Sequence, residues 1–86
     1  MKNQQDWREE DNTLSKTFEF TNFKKALEFT NAVGDIAESI NHHPNILLHS
    51  YKFVTITTTT HDAGNTLTEL DYTLTQRVDE VFEKSN

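Results

Sequence analysis

Polar and apolar positions alternate along two stretches of the chain and follow a helical period along two others. From Leu14 the alternation has period two, with Leu14, Lys16, Phe18 and Phe20 on one face and Ser15, Thr17 and Glu19 on the other. Such alternation with aromatic residues predicts a half-buried strand. A short partner strand is expected around Trp7, joined through the turn Glu9-Glu10-Asp11-Asn12. The period then changes. Thr21 or Asn22 can cap a helix by accepting its first free amide protons. Beyond them Phe23, Ala26, Leu27, Thr30, Val33, Ile36, Ala37 and Ile40 form one apolar stripe, which Phe29 widens. Gly34 inside this helix costs about 1 kcal/mol relative to Ala, which predicts a close backbone contact at that position. Pro44 cannot continue a helix and pushes His43 toward extended geometry, so the helix should end at about Asn41–His42.

Ile46 to Ser50 reads as a short strand, and Tyr51 to His61 as the clearest strand of the chain. Val54 and Ile56 lie on one face of it, with Phe53, Thr55, Thr57 and Thr59 on the other. The β-branched threonines suit an extended backbone. Asp62-Ala63-Gly64-Asn65 breaks the pattern. Thr68-Glu69-Leu70-Asp71 then has the form of a capping box, with Asp where Glu or Gln is usual. Leu70, Leu74, Val78, Val81 and Phe82 form the stripe of a second helix. The order β-β-α-β-β-α predicts an α+β fold: one four-stranded antiparallel sheet with both helices packed on one face, residues 1–86 forming a single domain. Phe18, Phe20, Val33, Val54, Ile56 and Val78 are its expected core.

Size and charge narrow the function. A chain of 86 residues without cysteine has a thin stability margin and no disulfide to widen it, which favours a homo-oligomer. The absence of cysteine also fits a reducing compartment, and the chain is read as cytoplasmic. No stretch approaches the ~20 apolar residues of a membrane span, and the first residues lack a signal-peptide core. The formal charge is −6, and the eight Lys and Arg residues are scattered. Nucleic acid demands a basic patch, so it is not an expected partner.

The candidate chemistry lies in the histidines. His42 and His43 follow the first helix and His61 ends the longest strand, so the three rings can converge on one cleft if that strand pairs near the helix exit. Imidazole, with an ordinary pKa near ~6.5, gives and takes protons around neutrality. His49 fits no pattern and is read as a plain surface or core residue. Zinc bound by the three histidines and Asp62 is the competing reading. It is disfavoured because adjacent extended residues point apart and no H-x-x-x-H or Cys pair is present. No phosphate-binding glycine loop, cysteine nucleophile or G-x-S-x-G elbow exists. Glu38, one turn before His42, is either a carboxylate that orients that ring or a solvated helix residue. Asp71 is read as the cap of its helix, and Thr57 and Thr58 as strand filling.

The stretch Ala37-Glu38-Ser39-Ile40-Asn41-His42-His43-Pro44, then Tyr51, Thr60-His61-Asp62-Ala63-Gly64 and Thr68-Glu69-Leu70-Asp71, resembles the signature of the pterin-4a-carbinolamine dehydratases. Upstream, Phe18-x-Phe20-x-x-Phe23-x-x-Ala26-x-x-Phe29 is similar to the lead-in of the same family. The likeness covers about residues 14–82. The chain departs from the family pattern at Lys16, where arginine is common, and in the longer loop after Gly64.

The resemblance implies a hydro-lyase that removes water from 4a-hydroxytetrahydropterin to give quinonoid dihydropterin, without metal or cofactor. It implies His42 and His61 as the proton-transfer pair, in either order of roles, with His43 binding and polarising the hydroxyl. Glu38, Asn41, Pro44, Thr59, Thr60, Asp62 and Asp71 are the implied substrate-binding residues. The implied partners are a small-molecule pterin and a second or further copies of the chain, as homodimer or homotetramer. The alternative is a non-catalytic dimerisation or assembly factor of the same fold.

Overall fold

A computed structural model describes residues 7–60, 64 and 66–85 of the chain. Six elements follow in the expected order: β1 (Arg8–Glu10), β2 (Thr13–Glu19), α1 (Phe23–Ile40), β3 (Asn45–His49), β4 (Phe53–Thr58) and α2 (Glu69–Ser85). The strands form one antiparallel sheet in the order β1-β2-β4-β3. Opposite Phe18 stands Val54, and opposite Lys16 stands Ile56; Ile56 and Val54 in turn face Ile46 and Leu48 of β3. Asp11 and Asn12, both at positive φ, make the tight β1–β2 turn. Such turns need left-handed backbone at both central residues, and Asp and Asn tolerate it best after glycine.

Both helices cover the same face of the sheet. The core joins Trp7, Leu14, Phe18 and Phe20 to Val54 and Ile56, Ala26, Phe29 and Val33 of α1, and Leu74 and Val78 of α2. All six expected core residues are buried. At its centre Phe18, Phe20, Phe29 and Phe82 pack with ring centroids 4.9 to 6.0 Å apart, the range in which tilted aromatic pairs add to simple burial. The opposite face carries paired hydroxyls instead, Ser15 with Thr57 and Thr17 with Thr55.

The ends of α1 explain its length. Asn22 rather than Thr21 is the cap, its side chain accepting from the Lys25 amide at 2.9 Å. At the other end Asn41 takes a left-handed conformation, φ 53°. The His42 amide then bonds the Ala37 carbonyl, and the Asn41 amide bonds that of Glu38. These two bonds close the helix and satisfy its last carbonyls.

Three expectations about packing need correction. The buried line of α1 runs through Ala26, Phe29, Val33 and Ala37, so Phe29 is central. Phe23 is 50% exposed and Leu27 42%; as one edge of a wide stripe they fall beyond the sheet's reach. Leu70 is exposed for a related reason, since α2 turns Asp71, Leu74, Thr75, Val78 and Asp79 inward. No atom lies within 4 Å of where a Gly34 Cβ would stand, so the close backbone contact is absent. Gly34 instead lines an open groove with Thr30, Glu38, His43, Pro44 and Ile46.

Replacing Phe29 by Ala should cost about 3–5 kcal/mol, as for other buried aromatics. Phe23→Ala should cost less than about 1 kcal/mol. Urea unfolding of the two variants measures the contrast, and equal losses would contradict this placement of the stripe.

Candidate functional site

The inner face of β4 changes character along its length. Val54 and Ile56 are apolar, but the next two inward positions are Thr58 and Thr60, both buried. They arrive beside the first turn of α2, where Thr68 is the cap. Its hydroxyl accepts from the Leu70 amide, and its own amide donates to Asp71 Oδ2 at 3.0 Å. Asp71 thus reaches back to the Thr68 amide as the sequence predicts, while the Thr68 hydroxyl takes the second helical amide, that of Leu70, in place of the third.

Asp71 does more than cap. Its side chain has no solvent exposure, and both its oxygens accept from other elements. Oδ1 receives Thr58 Oγ1 at 2.6 Å and meets His42 Nε2 at 2.8 Å. Oδ2 receives Thr60 Oγ1 at 2.7 Å as well as the Thr68 amide. Burial pushes this carboxyl up, but the hydrogen bonds from Thr58, Thr60, His42 and the Thr68 amide outweigh it and hold the group below the usual aspartate value. The carboxylate is thus ionised at neutral pH. The Schellman-type turn at Asn41 aims the adjoining His42 ring inward, where only 8% of the residue remains exposed.

His43 faces the other way. Its Nε2 meets Glu38 Oε2 at 2.8 Å, with side-chain exposures of 57% and 79%. Glu38 therefore pairs with His43, five residues on, and not with His42 one turn away. The left-handed step at Asn41 ends the helical i, i+4 relation before His42 is reached. Pro44 follows at the mouth of the Gly34 groove.

The expected site residues thus separate into groups. His42, Thr60 and Asp71 belong to one buried hydrogen-bonded cluster; Glu38, His43 and Pro44 line the groove. Asn41, exposed, forms the helix-ending turn. Thr59 points to the opposite side of the sheet, where its hydroxyl donates to the Asn12 carbonyl at 2.7 Å. His61 and Asp62 lie outside the described residues. His49 stands apart, stacked on Phe53 at 5.8 Å and bonded to Thr55. Thr58, expected as strand filling, is a member of the Asp71 cluster. The signal for it was the period-two alternation carried two positions past Ile56, which puts Thr58 and Thr60 on the core face.

A depressed carboxyl contributes stability above the unfolded aspartate value of about 3.9 and loses it as pH falls through the lower folded value. Asp71→Asn should cost about 2–4 kcal/mol at neutral pH, since it misplaces amide protons against buried donors. That gap should narrow as the pH falls below about 4. Denaturant unfolding across that range checks it, and a gap independent of pH would mean that Asp71 is not ionised in the fold.

Among the described residues, no helix is long and apolar enough to cross a membrane. Residues 1–81 match the sequence profile of the pterin 4 alpha carbinolamine dehydratase family. A protein of Sulfurisphaera tokodaii, provisionally named pterin-4-alpha-carbinolamine dehydratase, is 43% identical over 76 residues, which cover 88% of this chain and 80% of that protein. A protein of Picosynechococcus with the same provisional name is 41% identical over 76 residues, again 88% of this chain and 80% of the relative. The fold is also that of a transcriptional coactivator/pterin dehydratase from Brucella melitensis, with a TM-score of 0.80 at 28% identity, covering 88% of this chain and 81% of that one. A pterin dehydratase-like protein identified as a RuBisCO assembly factor in the alpha-carboxysome aligns with a TM-score of 0.74 at 26% identity, covering 88% of each chain. With a family match across nearly its whole length and relatives above 40% identity, the chain belongs to the pterin 4 alpha carbinolamine dehydratase family.

Proposed function

We propose that the chain dehydrates 4a-hydroxytetrahydropterin to quinonoid dihydropterin by histidine acid–base catalysis. A proton delivered to the 4a-hydroxyl lets it leave as water while the C4a–O bond breaks. Loss of the N5 proton returns its electron pair to the ring as the C4a=N5 double bond. One proton is supplied and one taken up, so the step needs no redox partner. His42 and His61 are the proposed proton-transfer pair, with His43 at the departing hydroxyl and Glu38 orienting His43. The observation that carries most weight is His42 held against an ionised, fully buried Asp71. An acid–base ring fixed in this way costs little reorganisation when it exchanges a proton.

The second reading is an assembly factor without activity, as in the fold relative from the alpha-carboxysome. Retention of His42, His43 and His61 favours the enzyme. Dehydration of synthetic 4a-hydroxytetrahydropterin, followed by absorbance with and without the protein, separates the two. Absence of any acceleration by folded protein would leave the assembly reading.

If the enzyme reading holds, His42→Ala and His61→Ala should each slow the reaction by about 10²–10⁴-fold. Their double variant should lose less than the product, because the rings act as a unit. His49→Ala should change little. Damage from His49→Ala equal to that from His61→Ala, with both variants folded, would relocate the site.

We further propose a homodimer or homotetramer. The outer edge of β3 pairs with no other strand among the described residues, and a short, exposed strand edge invites a second copy. Sedimentation should show an oligomer at micromolar concentration; a monomer persisting at high concentration would count against it.

A further inference from the structure

We infer that Asp71 is a positioning residue that locks His42 as its Nε2–H tautomer, leaving Nδ1 as the nitrogen that exchanges protons with substrate. The catalytic consequence rests on the dehydratase reading; the tautomer does not. The assignment follows from counting protons in the buried cluster. Thr58 has one hydroxyl proton, and at 2.6 Å it is committed to Asp71 Oδ1. Thr58 Oγ1 can therefore only accept from His42 Nε2, 3.2 Å away. The other partner of Nε2 is Asp71 Oδ1 at 2.8 Å, a carboxylate oxygen with no proton to give. Both neighbours of Nε2 are acceptors, so the hydrogen must sit on Nε2. A bare nitrogen there would set its lone pair against a buried anion.

The other half of the carboxylate is fixed by a directional chain. Thr60 commits its single proton to Asp71 Oδ2, so in the 2.7 Å contact between Thr60 and Thr68 the proton comes from Thr68. Thr68 Oγ1 in turn accepts from the Leu70 amide. With Oδ2 held by Thr60 and by the Thr68 amide, the carboxylate cannot rotate to release His42 without breaking the first turn of α2. The helix cap and the orientation of the ring are one network. Asp71, without exposed surface, acts on the reaction only through His42. Nδ1 meets no hydrogen-bond partner among the described residues.

Nitrogen-detected magnetic resonance of the ¹⁵N-labelled full chain at about pH 8, above the ordinary imidazole value, reads the tautomer directly. The expected result is a protonated Nε2 and a bare Nδ1 on His42, while exposed His43 shows exchange between forms. A His42 with hydrogen on Nδ1 and a bare Nε2 would overturn the inference. In folded Asp71→Asn, His42 should become a mixture of tautomers, and kcat should fall by about 10–100-fold with KM nearly unchanged, as when a supporting partner is removed behind a functional ligand. A folded Asp71→Asn chain with an unchanged tautomer would assign the lock elsewhere. Should that variant fail to fold, Thr58→Val keeps Asp71 and removes only the hydroxyl. Nε2–H should persist there, and its loss would make Thr58 rather than Asp71 the determinant. Protein that shows the Nε2–H tautomer yet fails to dehydrate the pterin would sink the dehydratase reading and leave this inference standing.

Discussion

A carboxylate taken wholly out of water must be given donors, and in this fold the donors of Asp71 come from three elements. His42 reaches it from the exit of α1, Thr58 and Thr60 from β4 and its continuation, and the Thr68 amide from the cap of α2. Desolvation of an unpaired charge would cost several kcal/mol. Any arrangement that separates these elements leaves the charge unmatched, so the requirement selects one relative placement among several that apolar packing alone would tolerate.

Just over two turns along the same face of α2, Asp79 repeats the device. Its oxygens take the Trp7 indole N–H and the Lys16 ammonium, each at 3.0 Å. Lys16 is the inward member of β2 that interrupts an otherwise apolar face, and Asp79 is its counter-charge. Leu74 and Val78 lie buried between the two acids on α2, and Phe82, one turn past Asp79, joins the phenylalanine cluster. A small chain gains limited free energy from burial. Here directional contacts in the first turn of α2 and again at Asp79 supplement a short apolar centre and fix the register of the helix on the sheet.

The consequence for chemistry is a contrast between neighbouring rings. His42 is held from behind by a buried network, whereas His43 and Glu38 form an exposed pair at the groove. An exposed pair of this kind is worth little in stability and rearranges readily. The proposed division of labour, proton exchange at the fixed ring and hydroxyl binding at the compliant one, suits those environments. Pro44 and the left-handed Asn41 set the two rings on opposite sides of the chain.

How much of this was legible depends on the range of the interaction concerned. Element order, the antiparallel sheet, the ends of α1 and the capping box are consequences of period, capping chemistry and the limits of proline, all local to a few residues. The sequence by itself therefore determined them, and the signature around His42, His43 and His61 was readable for the same reason. The centring of the α1 stripe on Phe29, the exposure of Phe23 and Leu70, and the open space over Gly34 depend on how far a sheet of this width reaches. No local pattern encodes that distance. The pairing of Glu38 with His43 turned on the single left-handed residue between them. Thr58 shared its composition with the strand filling around it, and only the arrival of α2, 13 residues later in the chain, made it a ligand of Asp71. Tertiary structure decided these contacts because a buried charge recruits donors by proximity in space, whatever their separation along the chain.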